Sequence, residues 1–353
     1  MAIVTFVLFL IFLEYVALKY FIPTTDVARV EHDDGITHYK ALQKGTIRLA
    51  NEYSALFSIN EDGWNSHHDK YFQERNNKTR IAVIGDSYIA ALEPGYLKAI
   101  PNLLEQRLGP DHFEVYGFGI GAAHLAQYLH IFRNEVLKYD PDIAVFLIIH
   151  NDFAPSYRKD LMASGRYGGT FLTLSLSGNR IKEIPPKPYD PSWDSLLDIR
   201  LLRFMFYQYK LRTKINYIKS LVLNEQYQMN MSVKDLEGSF DNDLLIADYV
   251  VKNIASFAKE KNIKLIFAMN GDTWSIYNQD TSNKPNNTLK FNVAMRQIVE
   301  KHGGRFIDLH KNFLRDYQEN HERFEFKTDG HWNPYGHQVA TKPIYKAIQE
   351  LIQ

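Results

Sequence analysis

The chain has 353 residues, 45% of them hydrophobic, and its 41 Lys and Arg balance 41 Asp and Glu. That length holds one large α/β domain with appendages or two small domains, and the even charge gives no basic excess for nucleic acid as a partner. Cysteine is absent, which excludes disulfides, thiolate zinc sites and cysteine nucleophiles, and the 13 histidines show no HxxxH spacing.

The first segment is apolar. Ala2 to Leu13 carry almost nothing polar, and after Glu14 the run resumes through Tyr15-Val16-Ala17-Leu18 to Ile22, where Pro23 ends it. About 20 such residues span a bilayer when Glu14 is tolerated and Lys19 reaches the interface. No basic stretch precedes the run and no A-x-A-like cleavage site follows it. We therefore expect an uncleaved anchor over residues 1–23 in preference to a signal peptide or a buried helix. Charged flanks are too few to orient it. Residues 24–78 are polar and mixed, with a turn at Asn60-Glu61-Asp62-Gly63. They read as a stem or an N-terminal extension packed on the main domain.

From Thr79 the pattern becomes βαβ. Arg80-Ile81-Ala82-Val83-Ile84-Gly85 is a buried strand, followed by a helix near 96–108 and a second strand at 113–118. Leu125, Tyr128, Leu129, Phe132 and Val136 then recur at helical spacing. A third strand at 143–149 is apolar throughout. Helix 244–261, strand 263–268, helix 287–302 and a short strand 305–308 complete the alternation, which predicts a parallel sheet covered on both faces. Residues 154–243 interrupt it with a hairpin-like stretch (Gly168 to Arg180), a proline-rich turn and a helical segment from Trp193 to about Tyr227 carrying Arg200, Arg203, Lys210, Arg212, Lys214 and Lys219. We read this insertion as a lid over the C-terminal edge of the sheet, in preference to a membrane-surface helix.

Chemistry-bearing residues fall where strands end. Ser87 follows the first strand at Gly85-Asp86-Ser87 and enters a helix, the position where open α/β sheets bind ligands; an ordinary βα turn with a capping Asp86 or Ser87 is the plain alternative. The second strand runs into Phe118-Gly119-Ile120-Gly121-Ala122, whose glycines let backbone approach a ligand. The third runs into His150-Asn151-Asp152. There the Asn151 amide, like the Ser87 N–H, is placed to donate to an oxyanion, or the segment is a hydrogen-bonded turn. Thr328-Asp329-Gly330-His331-Trp332-Asn333-Pro334 forms a loop before the last helix. His331 is a candidate general base for Ser87, and Asp329 a candidate partner fixing its tautomer. His337 reads as structural.

These four blocks, in this order, resemble the SGNH (GDSL) hydrolase superfamily over roughly residues 79–353 outside the insertion. The resemblance implies a three-layer α/β/α flavodoxin-like sandwich. Ser87 is then the nucleophile, His331 the base and Asp329 its partner, with the oxyanion hole formed by Ser87, Asn151 and a backbone N–H of the glycine block, that of Gly121 in preference to Ala122. Two departures stand out. The family's D-x-x-H is shortened to Asp329-Gly330-His331, which with Trp332 resembles alginate-acetylation-type SGNH-like proteins that act on exopolysaccharides. Where Ser-Gly is common in the glycine block, Gly121-Ala122 stands here. A G-x-S-x-G elbow is absent, which disfavours the α/β-hydrolase fold. The resemblance implies a serine esterase or O-acyltransferase acting on acyl, above all acetyl, esters of a surface polysaccharide. It also implies no metal or organic cofactor, partners in a glycan-modification system, and a domain held by its anchor in the periplasm or outside the cell. The alternative is a non-catalytic glycan-binding or assembly subunit with the same fold.

Overall fold

The computed structural model describes residues 1–158, 161, 167, 169–178, 180–193, 195, 198–209, 240–279 and 287–352. It begins with helix α1 (Ala2–Phe12), which continues as a π-helical stretch, Leu13–Phe21. Among the described residues Ala2–Phe21 is the one helix long and apolar enough to cross a membrane. Ile3, Phe6, Phe9 and Phe12 are exposed along it. Glu14 instead turns to the protein, accepting the backbone N–H groups of Arg200 and Leu201, each at 2.8 Å.

Residues 24–78 fold into two antiparallel hairpins, β1 (Val30–Asp33) with β2 (Ile36–Tyr39) and β3 (Lys44–Leu49) with β4 (Tyr53–Ser58). The segment contributes buried aromatics to the core on one face of the sheet. Tyr39, Trp64 and Tyr71 are fully buried and share one cluster with the sheet residues Ile84 and Phe118. Tyr71 stacks on Tyr116 at 4.2 Å and donates its hydroxyl to the Gly117 carbonyl at 2.9 Å.

The sheet is built from β5 (Thr79–Gly85), β6 (Phe113–Gly119) and β7 (Ile143–Ile148), with two more strands after the insertion. Between the first three lie a single turn, α2 (Ser87–Ala90), then α3 (Ile100–Leu108) and α4 (Leu125–Asn134). The insertion contributes the hairpin β8 (Thr173–Ser177) and β9 (Arg180–Ile184) and helix α5 (Arg200–Tyr207). The remaining elements are α6 (Phe240–Glu260), β10 (Lys264–Met269), α7 (Thr273–Tyr277), α8 (Asn287–Lys301), β11 (Arg305–Asp308), α9 (Leu309–Asn320) and α10 (Pro334–Ile352).

All pairings in the five-stranded sheet are parallel, in the order β11-β10-β7-β5-β6. Counted along the chain this is 2-1-3-4-5, the flavodoxin-like order, with its switch point between β5 and β7. Successive side chains of a strand face opposite sides, and the core divides accordingly. Ala82 and Ile84 pack with α4, α6 and α8 on one face, whereas Ile81 and Val83 pack with α3, α9 and α10 on the other. The fold class is therefore the three-layer α/β/α sandwich expected from the sequence.

One feature differs from expectation. Helix α9 was not anticipated: its buried face is only Leu309, His310, Phe313 and Asp316, too polar and short a stripe to signal a helix. Of the insertion's described parts, Tyr167 lies against the Gly121 turn at the C-terminal edge of the sheet, its hydroxyl 3.3 Å from where a Gly121 Cβ would stand. The β8–β9 hairpin docks on α4, where Leu172 N–H meets Gln127 at 2.8 Å and Arg133 pairs with Glu183 at 3.0 Å. Helix α5 docks on the N-terminal helix through Glu14. Lys210, Arg212, Lys214 and Lys219, with the rest of the expected helix to Tyr227, lie outside the described residues.

Candidate active site

Ser87 occupies the first position of α2, directly beyond the C-terminal end of β5. Asp86 caps the turn, accepting the Tyr88 N–H at 2.9 Å, so the residue before Ser87 satisfies a donor the short helix leaves open. Space for the turn comes from the neighbouring strand. A Cβ at Gly119 would stand 2.1 Å from the Ala90 nitrogen and 2.4 Å from the Ile89 carbonyl carbon. Only glycine there lets α2 lie against the end of β6.

His331 comes from the loop between α9 and α10, closed by the Phe326 N–H donating to the His331 carbonyl at 2.9 Å. Gly330 takes φ +83°, a conformation that glycine adopts without strain, and the turn it makes brings the Asp329 and His331 side chains together. The Gly330 carbonyl accepts the Tyr88 hydroxyl at 3.0 Å. Trp332, fully buried, packs edge-on to Tyr88 at 4.9 Å and against Phe313 at 5.2 Å. The loop is thus fastened both to α2 and to the helix layer.

These elements place His331 Nε2 2.8 Å from Ser87 Oγ, while Nδ1 bonds Asp329 Oδ1. Asp329 Oδ2 accepts the Tyr53 hydroxyl at 2.9 Å, and Glu93 Oε1 stands 3.9 Å from His331 Nδ1. Of the five residues singled out from the sequence, Ser87, Asp329 and His331 come together. Gly121 and Asn151 make no hydrogen bond with them. Gly121 donates its N–H to the Tyr39 hydroxyl at 3.4 Å. Asn151 is exposed in the turn after β7, and its neighbour Asp152 is the buried member, accepting the Ile149 N–H at 2.7 Å and the Tyr128 hydroxyl at 2.8 Å.

Charge around the site is concentrated and acidic. Burial alone would lower the His331 pKa, but Glu93, the Asp329 hydrogen bond and charge, and Asp86 together raise it to about 10. Asp329 is held below the usual carboxylate range: burial opposes this, and the hydrogen bond and charge of His331 with the Tyr53 hydroxyl overcome it. Burial pushes Asp86 up to about 6, against the Tyr88 N–H and the imidazolium. Burial also raises Glu93, aided by Asp329 and opposed by His331. Asp152 is raised well above its ordinary value by burial and then by Asp86.

Sequence reasoning missed Glu93, Tyr53 and Glu52. Glu93 lies in the Leu92-Glu93-Pro94 step just after α2, and a carboxylate so near a candidate serine was a usable signal. Tyr53 and Glu52 reach the site from 276 positions away in sequence, and nothing local marks them.

Beside the triad opens a cavity of about 320 Å³. Its lining includes Tyr88 and Gly330, the chain neighbours of the triad residues, together with Asn270, Trp274, Asn278 and Arg323, while Ser87, Asp329 and His331 themselves stand outside it. Trp274 leaves 60% of its surface exposed.

No protein-family model and no curated protein matches the chain. Solved structures similar to it include an acetyl xylan esterase, at 13% identity and a TM-score of 0.43, covering 76% of this chain and 99% of that one. The lipase/acylhydrolase of Enterococcus faecalis is 13% identical with a TM-score of 0.41, covering 77% and 96%. A catalytic mutant of an acetylxylan esterase from Geobacillus stearothermophilus is 12% identical with a TM-score of 0.40, covering 77% and 94%. At such values the likeness concerns the path of the chain alone.

Proposed function

We propose that the protein is a serine-dependent ester hydrolase or O-acyltransferase with Ser87 as nucleophile, His331 as general base and Asp329 as the group that orients it. The observation that carries this reading is the unbroken chain Ser87 Oγ, His331 Nε2 at 2.8 Å, His331 Nδ1 and Asp329 Oδ1. A nucleophile within reach of a base, itself oriented by a third group, is the arrangement that activates a serine hydroxyl. In the reaction Oγ attacks the ester carbonyl as Nε2 takes its proton. The collapsing tetrahedral intermediate expels the alcohol, which receives that proton from His331, and an acyl-Ser87 ester remains. Water or a sugar hydroxyl, deprotonated by His331, then takes the acyl group. The Ser87 N–H, at a helix start with no intrahelical acceptor, serves as one oxyanion donor. The Gly121 N–H and the Asn151 amide serve as the others after local rotation on substrate binding.

The substrate we infer is an acyl ester of a carbohydrate. The exposed Trp274 face suits the C–H face of a sugar ring, and Asn270, Asn278 and Arg323 offer donors and acceptors for hydroxyls around it. With the apolar N-terminal helix as an anchor, the acceptor would be a glycan presented at a membrane surface outside the cytoplasm. A fluorophosphonate probe tests the nucleophile. Labelling that disappears in Ser87→Ala supports the reading, and absence of labelling in a folded wild type that still binds glycan returns the protein to the class of binding subunits. Acetate release from acetylated oligosaccharides, compared between wild type and Trp274→Ala, tests the substrate class; equal KM values would remove the carbohydrate assignment.

A further inference from the structure

The triad reading leaves one question of physical chemistry: what fixes the Asp329 carboxylate. Asp329 stands two residues before His331 on a glycine turn, so the loop itself supplies little to stop the carboxylate rotating. Its Oδ1 receives His331 Nδ1 and, at 3.4 Å, the His331 backbone N–H. Its Oδ2 faces away from the loop, toward the hairpin β3–β4. There Tyr53 donates its hydroxyl at 2.9 Å, and its ring packs on Phe326 of the same loop, 4.6 Å between centroids. The preceding residue, Glu52, takes the Thr328 backbone N–H on one carboxylate oxygen and the Thr328 hydroxyl on the other. Two adjacent residues of the N-terminal segment therefore grip three residues of the loop that carries the base.

We propose that Tyr53 is a positioning residue of the triad, locking the Asp329 carboxylate with one oxygen toward His331, while Glu52 clamps the loop at Thr328. This rests on the reading of Ser87, His331 and Asp329 as a triad. The chemistry of each partner fits its part. Burial, then Glu93 and Asp329, pushes the Tyr53 pKa far above its ordinary value, so the phenol remains a donor throughout the working pH range. A carboxylate receiving donors on both oxygens is held in one plane, and bonds to a charged acceptor are the stronger kind. Residues 24–78 are on this view part of the catalytic apparatus and not a spacer.

The test is Tyr53→Phe, which keeps the ring on Phe326 and removes one hydroxyl. Steady-state hydrolysis of p-nitrophenyl acetate should show kcat about tenfold lower, the worth of one charge-assisted bond, with KM unchanged. A second readout separates positioning from packing. The groups facing His331 are Asp329 on its own loop, Glu93 and Tyr88 from the α2 region, Asp86 at the end of β5 and His337 on α10. Removing the phenol leaves Asp329 more basic and strengthens its hold on the imidazolium, so the acid limb of kcat/KM should move to higher pH. Glu52→Ala should lower kcat without moving that limb. Leu56→Ala, exposed on the same hairpin, should change neither. A Tyr53→Phe protein with wild-type kcat and pH profile would overturn the proposal, since packing is preserved in that variant. Wild-type fluorophosphonate labelling, run beside it, keeps the two ideas apart: loss of labelling condemns the triad, whereas labelling with an indifferent Tyr53 condemns only the clamp.

Discussion

The serine and the histidine of the candidate triad are held by different parts of the molecule. Ser87 stands on the sheet: a buried strand delivers it, Asp86 caps its turn, and Gly119 of the next strand leaves the room. All of these lie between Thr79 and Gly119 and belong to the hydrogen-bonded frame. His331 stands on a loop with no strand beneath it. It is kept in place by Tyr88 from α2, by Trp332 in the helix layer and by Glu52 and Tyr53 from the opposite end of the chain. A βα junction is reproducible by itself, whereas a loop-borne base requires separate fastening, and each fastener is a point where activity and fold can be separated.

Breaking either half at its reacting group should give the largest effect. Ser87→Ala is expected to lower kcat by about a million-fold with an unchanged circular dichroism spectrum. On the loop side, Asp329→Asn removes the charge that fixes the His331 tautomer, and a fall of roughly 10⁴-fold in kcat is expected. If stopped-flow acylation rates for that variant stay within tenfold of wild type, Asp329 is not the orienting group.

The frame itself is probed by Gly119→Ala. The new methyl meets backbone of α2, which cannot give way as a side chain would, so a loss of about 3 kcal/mol or more is expected in urea unfolding. Thermal stability equal to wild type would show that α2 shifts freely, and with it Ser87.

A smaller effect concerns pH. On the proposed reading His331 acts as base only when neutral, and with its pKa raised to about 10 the neutral fraction grows with pH through the neutral range. Hydrolysis by the wild type should accordingly climb toward an alkaline optimum. Glu93→Gln removes the largest charge raising that pKa, so the acid limb should shift to lower pH and activity at pH 7 should increase relative to the optimum. A profile identical to wild type would mean that Glu93 carries no charge when His331 does.

The contrast between frame and loop also explains what could be read in advance. The strands of the sheet were legible because parallel strands covered on both faces are continuous apolar runs, as Ile143–Ile148 shows. Gly85-Asp86-Ser87 and Asp329-Gly330-His331 were legible because turn chemistry and catalytic residue types coincide there. Helix α9 was not, since its apolar stripe is interrupted by His310 and Asp316. The hairpins of residues 24–78 read only as a stem or a packed extension without named strands, because those strands are four to six residues long and largely half-buried. Their anchoring aromatics, Tyr39, Trp64 and Tyr71, are scattered without a period. Glu52 and Tyr53 gain their meaning only from a contact across most of the chain.

One bond pair at the other end of the molecule has a practical bearing. Glu14 lies within the apolar N-terminal helix, where a carboxylate in hydrocarbon would be costly, yet it closes the first turn of α5 and pairs with Arg200 at 3.7 Å. Starting the polypeptide after Phe21 would strip two amide hydrogens of their acceptor and leave a guanidinium without its counter-ion. Trimming the apolar helix and keeping the folded surface intact are therefore competing aims, and the whole 353-residue chain handled in detergent keeps both amide contacts and the ion pair.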